Sequence, residues 1–178
     1  VAVGESAGVS MTTGINNTII GGLAGDALTD ADHNVAVGYN ALGSDTQGSK
    51  STAIGNNTLG DQNFTTATDS FNTAVGYNAG TRITTGIENV LIGGVAGDAL
   101  TDADFNIAIG VSTLTQDTKG NKTVAIGGGA LNAQNQSTST DTHNVAVGFH
   151  AGNDVTTGVK NTFIGSLSGD KVTDADFN

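Results

Sequence analysis

The chain has 178 residues with six Phe, two Tyr, no Trp, no Cys and no Pro, which excludes a thick core of large aromatic side chains, disulfides and thiolate metal sites. Seventeen Asp and Glu against six Lys and Arg leave a net charge of -11, which speaks against nucleic acid, whose phosphates need clustered cations, and against adhesion to an anionic membrane by charge. The 37% hydrophobic content is too periodic for a disordered chain, and no apolar run approaches the ~20 residues of a membrane span.

Ten short segments end in Gly: "VAVG", "TIIG", "VAVG", "TAIG", "TAVG", "VLIG", "IAIG", "VAIG", "VAVG" and "TFIG". Their glycines are spaced by 17 residues, except for two intervals of 21, so that three short units and one long unit make an outer period of 72. The outer period is plainest in "TIIGGLAGDALTDADHN", which returns as "VLIGGVAGDALTDADFN" and "TFIGSLSGDKVTDADFN". Each segment is a predicted strand of three to five residues, and nothing in the chain has a helical period. Val or Ile always stands just before the Gly, as in Ile92 and Ile126, and is expected to be the inward, β-branched core column. Ala dominates one residue earlier, on the opposite side of the strand, where it would leave room for a close neighbour such as another chain.

Beyond each Gly the order continues. The residue three positions on is always small, and the next alternates in pairs between Gly (Gly8, Gly25) and Leu (Leu42, Leu59). Asn precedes the Gly by four residues in seven of nine units, with Ser51 and Thr123 in the other two, a stack of side chains suited to a hydrogen-bonded ladder. Thr follows the Gly by eight residues in every 17-residue unit, beside a Gly or Ala bend. The 21-residue units carry "DQNFTTATDSFN" and "NAQNQSTSTDTHN", expected to bulge from the stack as polar loops. Turns of near-constant length around short strands predict an all-β chain: a parallel β-solenoid, or β-roll, of ten coils of 17 or 21 residues in one repeat array over residues 1–178. At about 4.8 Å per coil the rod would be roughly 48 Å long. The sequence opens at Val1 inside a repeat and stops at Asn178, where the next would start, and reads as a window cut from something longer.

The units "NVAVGYNAL" (34–42), "NTAVGYNAG" (72–80) and "NVAVGFHAG" (144–152) resemble the head repeats of trimeric autotransporter adhesins, repeats that also occur in phage tail fibres. The resemblance covers all ten coils, although 17 and 21 residues exceed the usual head coil. It implies a left-handed parallel β-roll wound as a coaxial homotrimer, an extracellular location on a cell surface or virion, a receptor or matrix as partner, and a mechanical or adhesive function without catalysis.

Three acidic turns are candidate calcium sites: Asp26, Asp30 and Asp32; Asp98, Asp102 and Asp104; Asp170, Asp174 and Asp176. Calcium accepts six to eight oxygens without strict geometry, but neither the EF-hand spacing nor the nonapeptide of calcium β-rolls is present, and solvated turns account for the same residues. The Thr column carries a further alternative, a monomeric solenoid with an ice-binding face. Such a face would show paired outward Thr in a Thr-x-Thr strand, whereas here a single Thr recurs beside a bend. His33, His143 and His150 occupy non-equivalent positions of the repeat, and no Ser/His/Asp or paired-Glu constellation repeats with them, so an enzyme is not expected. Tyr39, Tyr77 and Phe149, each just after its Gly, form an aromatic column suited to packing between coils or to sugar contact.

Overall fold

The computed structural model describes residues 1–178 and is all-β. In chain order the strands are β1 (Ala2–Val3), β2 (Thr18–Ile20), β3 (Val35–Val37), β4 (Gly48–Ser49), β5 (Thr52–Ile54), β6 (Thr68–Asp69) and β7 (Thr73–Val75). They continue as β8 (Val90–Ile92), β9 (Ile107–Ile109), β10 (Gly120–Asn121), β11 (Val124–Ile126), β12 (Thr140–Asp141), β13 (Val145–Val147) and β14 (Thr162–Ile164). Ten of these form one parallel sheet in the order β1-β2-β3-β5-β7-β8-β9-β11-β13-β14. Its register is one coil per strand, since Ile19 pairs with Ala36, Ala36 with Ala53 and Ala53 with Ala74. The parallel β-solenoid of ten coils read from the glycine spacing is the observed fold.

The ladder continues around the corners. Gly25 donates its N–H to Ala41 O, Leu42 to Thr58 O and Leu59 to Ala79 O, each one coil on. Such close stacking dictates the corner glycines. Gly38 has φ +137°, and a Cβ there would overlap the carbonyl of Gly55 in the next coil. Three further corners per coil are left-handed, as at Asn40 (φ 55°), Leu42 (φ 51°) and Lys50 (φ 62°). Leu in that conformation costs about 1 kcal/mol, which burial of the side chain, about 2 kcal/mol, offsets.

The core is inverted relative to the sequence expectation. The Ala column is fully buried within the chain, at Ala36, Ala53, Ala74, Ala108, Ala125 and Ala146, with Ile19, Leu91 and Phe163 in the same column. The Val/Ile column before the Gly faces out, and Ile20, Ile54 and Ile92 are 40%, 39% and 37% exposed. A 17-residue coil is too thin to hold β-branched side chains from both faces of its strand. Ala fits the interior because the rest of the coil fills the space with Leu42, Leu59, Leu114 and Leu131. Where the inward strand residue is large, the corner is instead Gly: Leu91 lies against Gly80 and Gly97, Ile19 against Gly25, and Phe163 against Gly152 and Gly169. The 72-residue period is therefore an exchange of volume between two core columns.

The Asn ladder is present and buried. Asn34 Oδ1 accepts the N–H of Ser51 at 2.8 Å while Asn34 Nδ2 donates to Gly48 O at 2.8 Å, and Asn106 does the same with Thr123 and Gly120. The 21-residue coils are only partly external. Thr65, Thr66 and Ala67 are exposed, but Gln62, Phe64 and Ser70 are buried, and Thr68–Asp69 pairs with Gly48–Ser49.

Candidate functional site

Strand alternation that turns Ala inward turns two columns outward. One is the Val/Ile column before the Gly; the other stands two residues earlier and contains Thr18, Val35, Thr52, Thr73, Val90, Ile107, Val124, Val145 and Thr162, with Val1 in the first coil. Of these twenty positions sixteen are aliphatic, four are Thr and none is charged, on a chain of net charge -11. The ten paired strands make this face continuous, about 48 Å by 10 Å from strand spacing and rise. Apolar patches of that size, a few hundred Å², mark interaction sites when left on a surface. The sequence reading missed this face because period-2 alternation alone does not say which side is inside.

The acidic turns do not converge on a point: no three His, Asp or Glu side chains lie close enough together to hold a metal ion. Asp32, Asp104 and Asp176 each use Oδ1 to accept a backbone N–H from the coil before, from Ile15, Ile87 and Val159 at 2.7, 2.8 and 2.8 Å. Asp30 accepts from the Thr13 hydroxyl, Asp102 faces Lys119 Nζ at 3.8 Å, and Asp174 accepts from Thr173 Oγ1 at 3.1 Å. Asp26 and Asp98 each leave one buried carboxylate oxygen without a partner, and burial holds the Asp98 carboxyl above its usual range. Asp170 stands half-buried at the same coil position.

The Thr column bonds the coils together. Thr29 Oγ1 donates to Thr46 O at 3.0 Å, Thr101 to Thr118 O at 3.0 Å and Thr12 to Thr29 O at 3.1 Å. Its hydroxyls are thus committed to the ladder, as a turn reading expects. His33 and His143 are exposed at left-handed corners, with φ 59° and 51°. Tyr39, Tyr77 and Phe149 are 56%, 61% and 59% exposed. Lys50 and Lys122 pair across one coil with Asp69 and Asp141, both at 2.5 Å, and the Lys122 bond holds Asp141 below the usual carboxylate range.

A second polar feature lies inside the rod. Seven residues after each Gly runs a core column of Met11, Leu28, Ile83, Leu100, Val155 and Val172, interrupted twice by an Asp and a Gln. Buried Asp45 accepts the N–H groups of Gly48 and Phe64 through Oδ1, both at 3.0 Å, and Gln62 Nε2 through Oδ2. Gln62 in turn donates to Ser51 Oγ and accepts from Asn72 Nδ2, which carries the Asn ladder across the long coil. Asp117, Gln134, Thr123 and Asn144 repeat the arrangement 72 residues later. Desolvation raises the Asp45 pKa against the hydrogen bonds from Gln62, Phe64 and Gly48. The signal for this network was the recurrence of Asp and Gln at 45, 62, 117 and 134 in an otherwise aliphatic column.

No helix is long and apolar enough to cross a membrane. Comparisons with family models, curated proteins and solved structures found no match.

Proposed function

We propose that this chain is a structural and adhesive segment of an extracellular fibre, assembled as a coaxial homotrimer through the outward strand face, with no catalytic step. The observation that carries the reading is the uncharged face of sixteen aliphatic and four Thr positions running the length of the rod. Its two columns lie side by side, so that around a threefold axis each can meet a different neighbour. Stacking three such faces would remove from water an area that a single chain leaves exposed, and would keep the net charge of -11 that each chain carries on the outside. The head-repeat resemblance of residues 34–42, 72–80 and 144–152 supports the same arrangement. A fibre of this kind acts mechanically: the inter-coil ladder makes a stiff spacer, and its outer corners present repeated surfaces to a receptor or matrix.

The test is a charged residue on the face. Ile92→Asp and Ile109→Asp should sediment as folded monomers while the unaltered chain sediments as an assembly. An unaltered sedimentation coefficient in both variants would contradict the proposed interface. The monomeric alternative, an ice-binding surface, is favoured by one observation: Thr18, Thr52, Thr73 and Thr162 begin strands on this same face. Thermal hysteresis from a monomeric chain would decide for it.

A further inference from the structure

The second 72-residue period differs from the first at several surface positions, and at one corner the difference opens a cavity. In the first period Asn40 Nδ2 donates to Asn57 Oδ1 at 2.7 Å, and Asn57 Nδ2 donates to Thr81 Oγ1 at 2.8 Å and to Asn78 Oδ1 at 3.2 Å. These side chains close the corner between coils. Seventy-two residues on, Asn56 and Asn57 are replaced by Gly128 and Gly129, and Asn40 and Asn78 by Ser112 and His150. With no side chains at 128 and 129, an open hollow of about 500 Å³ lies between Val111 on one side and Phe149 on the other. Asn132 and Asn153 complete its rim.

We infer that this hollow is a binding site for a neutral hexopyranose, with the Phe149 ring as the stacking surface and His150, Ser112 and Asn153 as hydrogen-bonding groups. The volume falls within the range of small-molecule sites. Phe149 is 59% exposed and tilted against the His150 ring, with centroids 4.2 Å apart, so one apolar wall stands beside a polar edge. The imidazole makes no hydrogen bond within the chain, and Asn153 uses only Nδ2, toward Asp154 Oδ1 at 2.7 Å, which leaves its carbonyl oxygen to accept. Asn132, by contrast, is held by Ser112 O and Thr115 Oγ1 at 3.0 and 2.8 Å and serves as a fixed rim. A pyranose presents an apolar C–H face together with hydroxyls that both donate and accept, the complement of this wall and edge. A chain of net charge -11 also disfavours an acidic sugar.

The inference does not depend on the fibre reading, and its test separates the two. Saturation-transfer NMR on the whole chain, with the methyl glycosides of glucose, galactose and mannose each at several millimolar, should show transfer to ring protons of at least one. Gly128→Asn restores the residue type of Asn56 and should abolish the transfer at unchanged molecular mass, because a Cβ at 128 sits in ordinary contact 3.6 Å from the Phe149 ring without disturbing the fold. Phe149→Ala should abolish it too, whereas Tyr77→Ala, in the closed first period, should leave it intact. Absence of transfer from all three glycosides, or transfer that survives Gly128→Asn, would overturn the inference.

Discussion

Exchange of volume between the two core columns makes a prediction that does not depend on how many chains assemble. Leu91→Ala removes a fully buried side chain that lies against Gly80 and Gly97. Leu to Ala in a core costs about 2.7 to 5.0 kcal/mol, more when the site cannot collapse. Here the flanking backbone is fixed, with Gly80 N–H bonded to Ala96 O and Gly97 N–H to Thr113 O, so about 4 kcal/mol is expected. Gly97→Leu alone overpacks, because a Cβ there already comes within 2.8 Å of the Leu91 side chain, and should cost about 1 to 3 kcal/mol. The double variant carries Ala on the strand and Leu at the corner, the arrangement of Ala108 and Leu114 one coil later, and Leu114 adopts φ 54° where Gly97 has φ 56°. It should therefore be more stable than the sum of the single effects by about 2 kcal/mol, short of full recovery because the space beside Gly80 stays empty. Urea unfolding at fixed chain concentration gives the four values of the cycle. Additive effects, within about 0.5 kcal/mol, would refute the exchange of volume between the columns.

Asn106→Ala should lower stability by about 2 to 4 kcal/mol, since it leaves the buried N–H of Thr123 and carbonyl of Gly120 without their partner, and a thermal melt checks it. Burial pushes the Asp45 carboxyl above its ordinary value, so the folded chain holds that proton to higher pH than the unfolded chain does. Its contribution is thus greatest below the unfolded value and declines as pH rises through the folded one; stability measured from pH 4 to 7 should fall more steeply, or rise less, in the unaltered chain than in Asp45→Asn, and equal slopes would refute this. Because the acidic turns do not converge and Asp32, Asp104 and Asp176 already accept backbone N–H groups, EDTA should leave the melting temperature unchanged. A fall of several degrees on chelation would restore calcium to those turns.

Much of this architecture was legible because a stacked coil repeats its constraints. The Gly spacing fixed the coil length, since a Cβ at Gly38 would strike the next coil, and the Asn column announced the ladder that Asn34 and Asn106 form. What the pattern could not give was the sense of the strand. Ile92 is β-branched and invites an inward assignment, while Leu91, its fully buried neighbour, belongs to a column that is mostly Ala. The alternation of Gly and Leu at the corner held the missing information, because Gly80 and Gly97 flank the one coil of that period whose inward residue is large. The Asp45–Gln62 pair escaped notice for a related reason: read as part of a polar loop, Gln62 did not look like a member of the aliphatic column of Leu28 and Ile83. The cavity beside Phe149 is legible only by comparing one period with the other, at Gly128 and Gly129 against Asn56 and Asn57.

The outward strand face is the part of this account with the largest consequence, and the mass of the chain in solution tests it most directly. Light scattering on the unaltered protein should give about 53 kDa, three times the 17.6 kDa of one chain. A stable 17.6 kDa particle would mean that sixteen aliphatic positions face water in the native state, and would contradict the trimeric fibre.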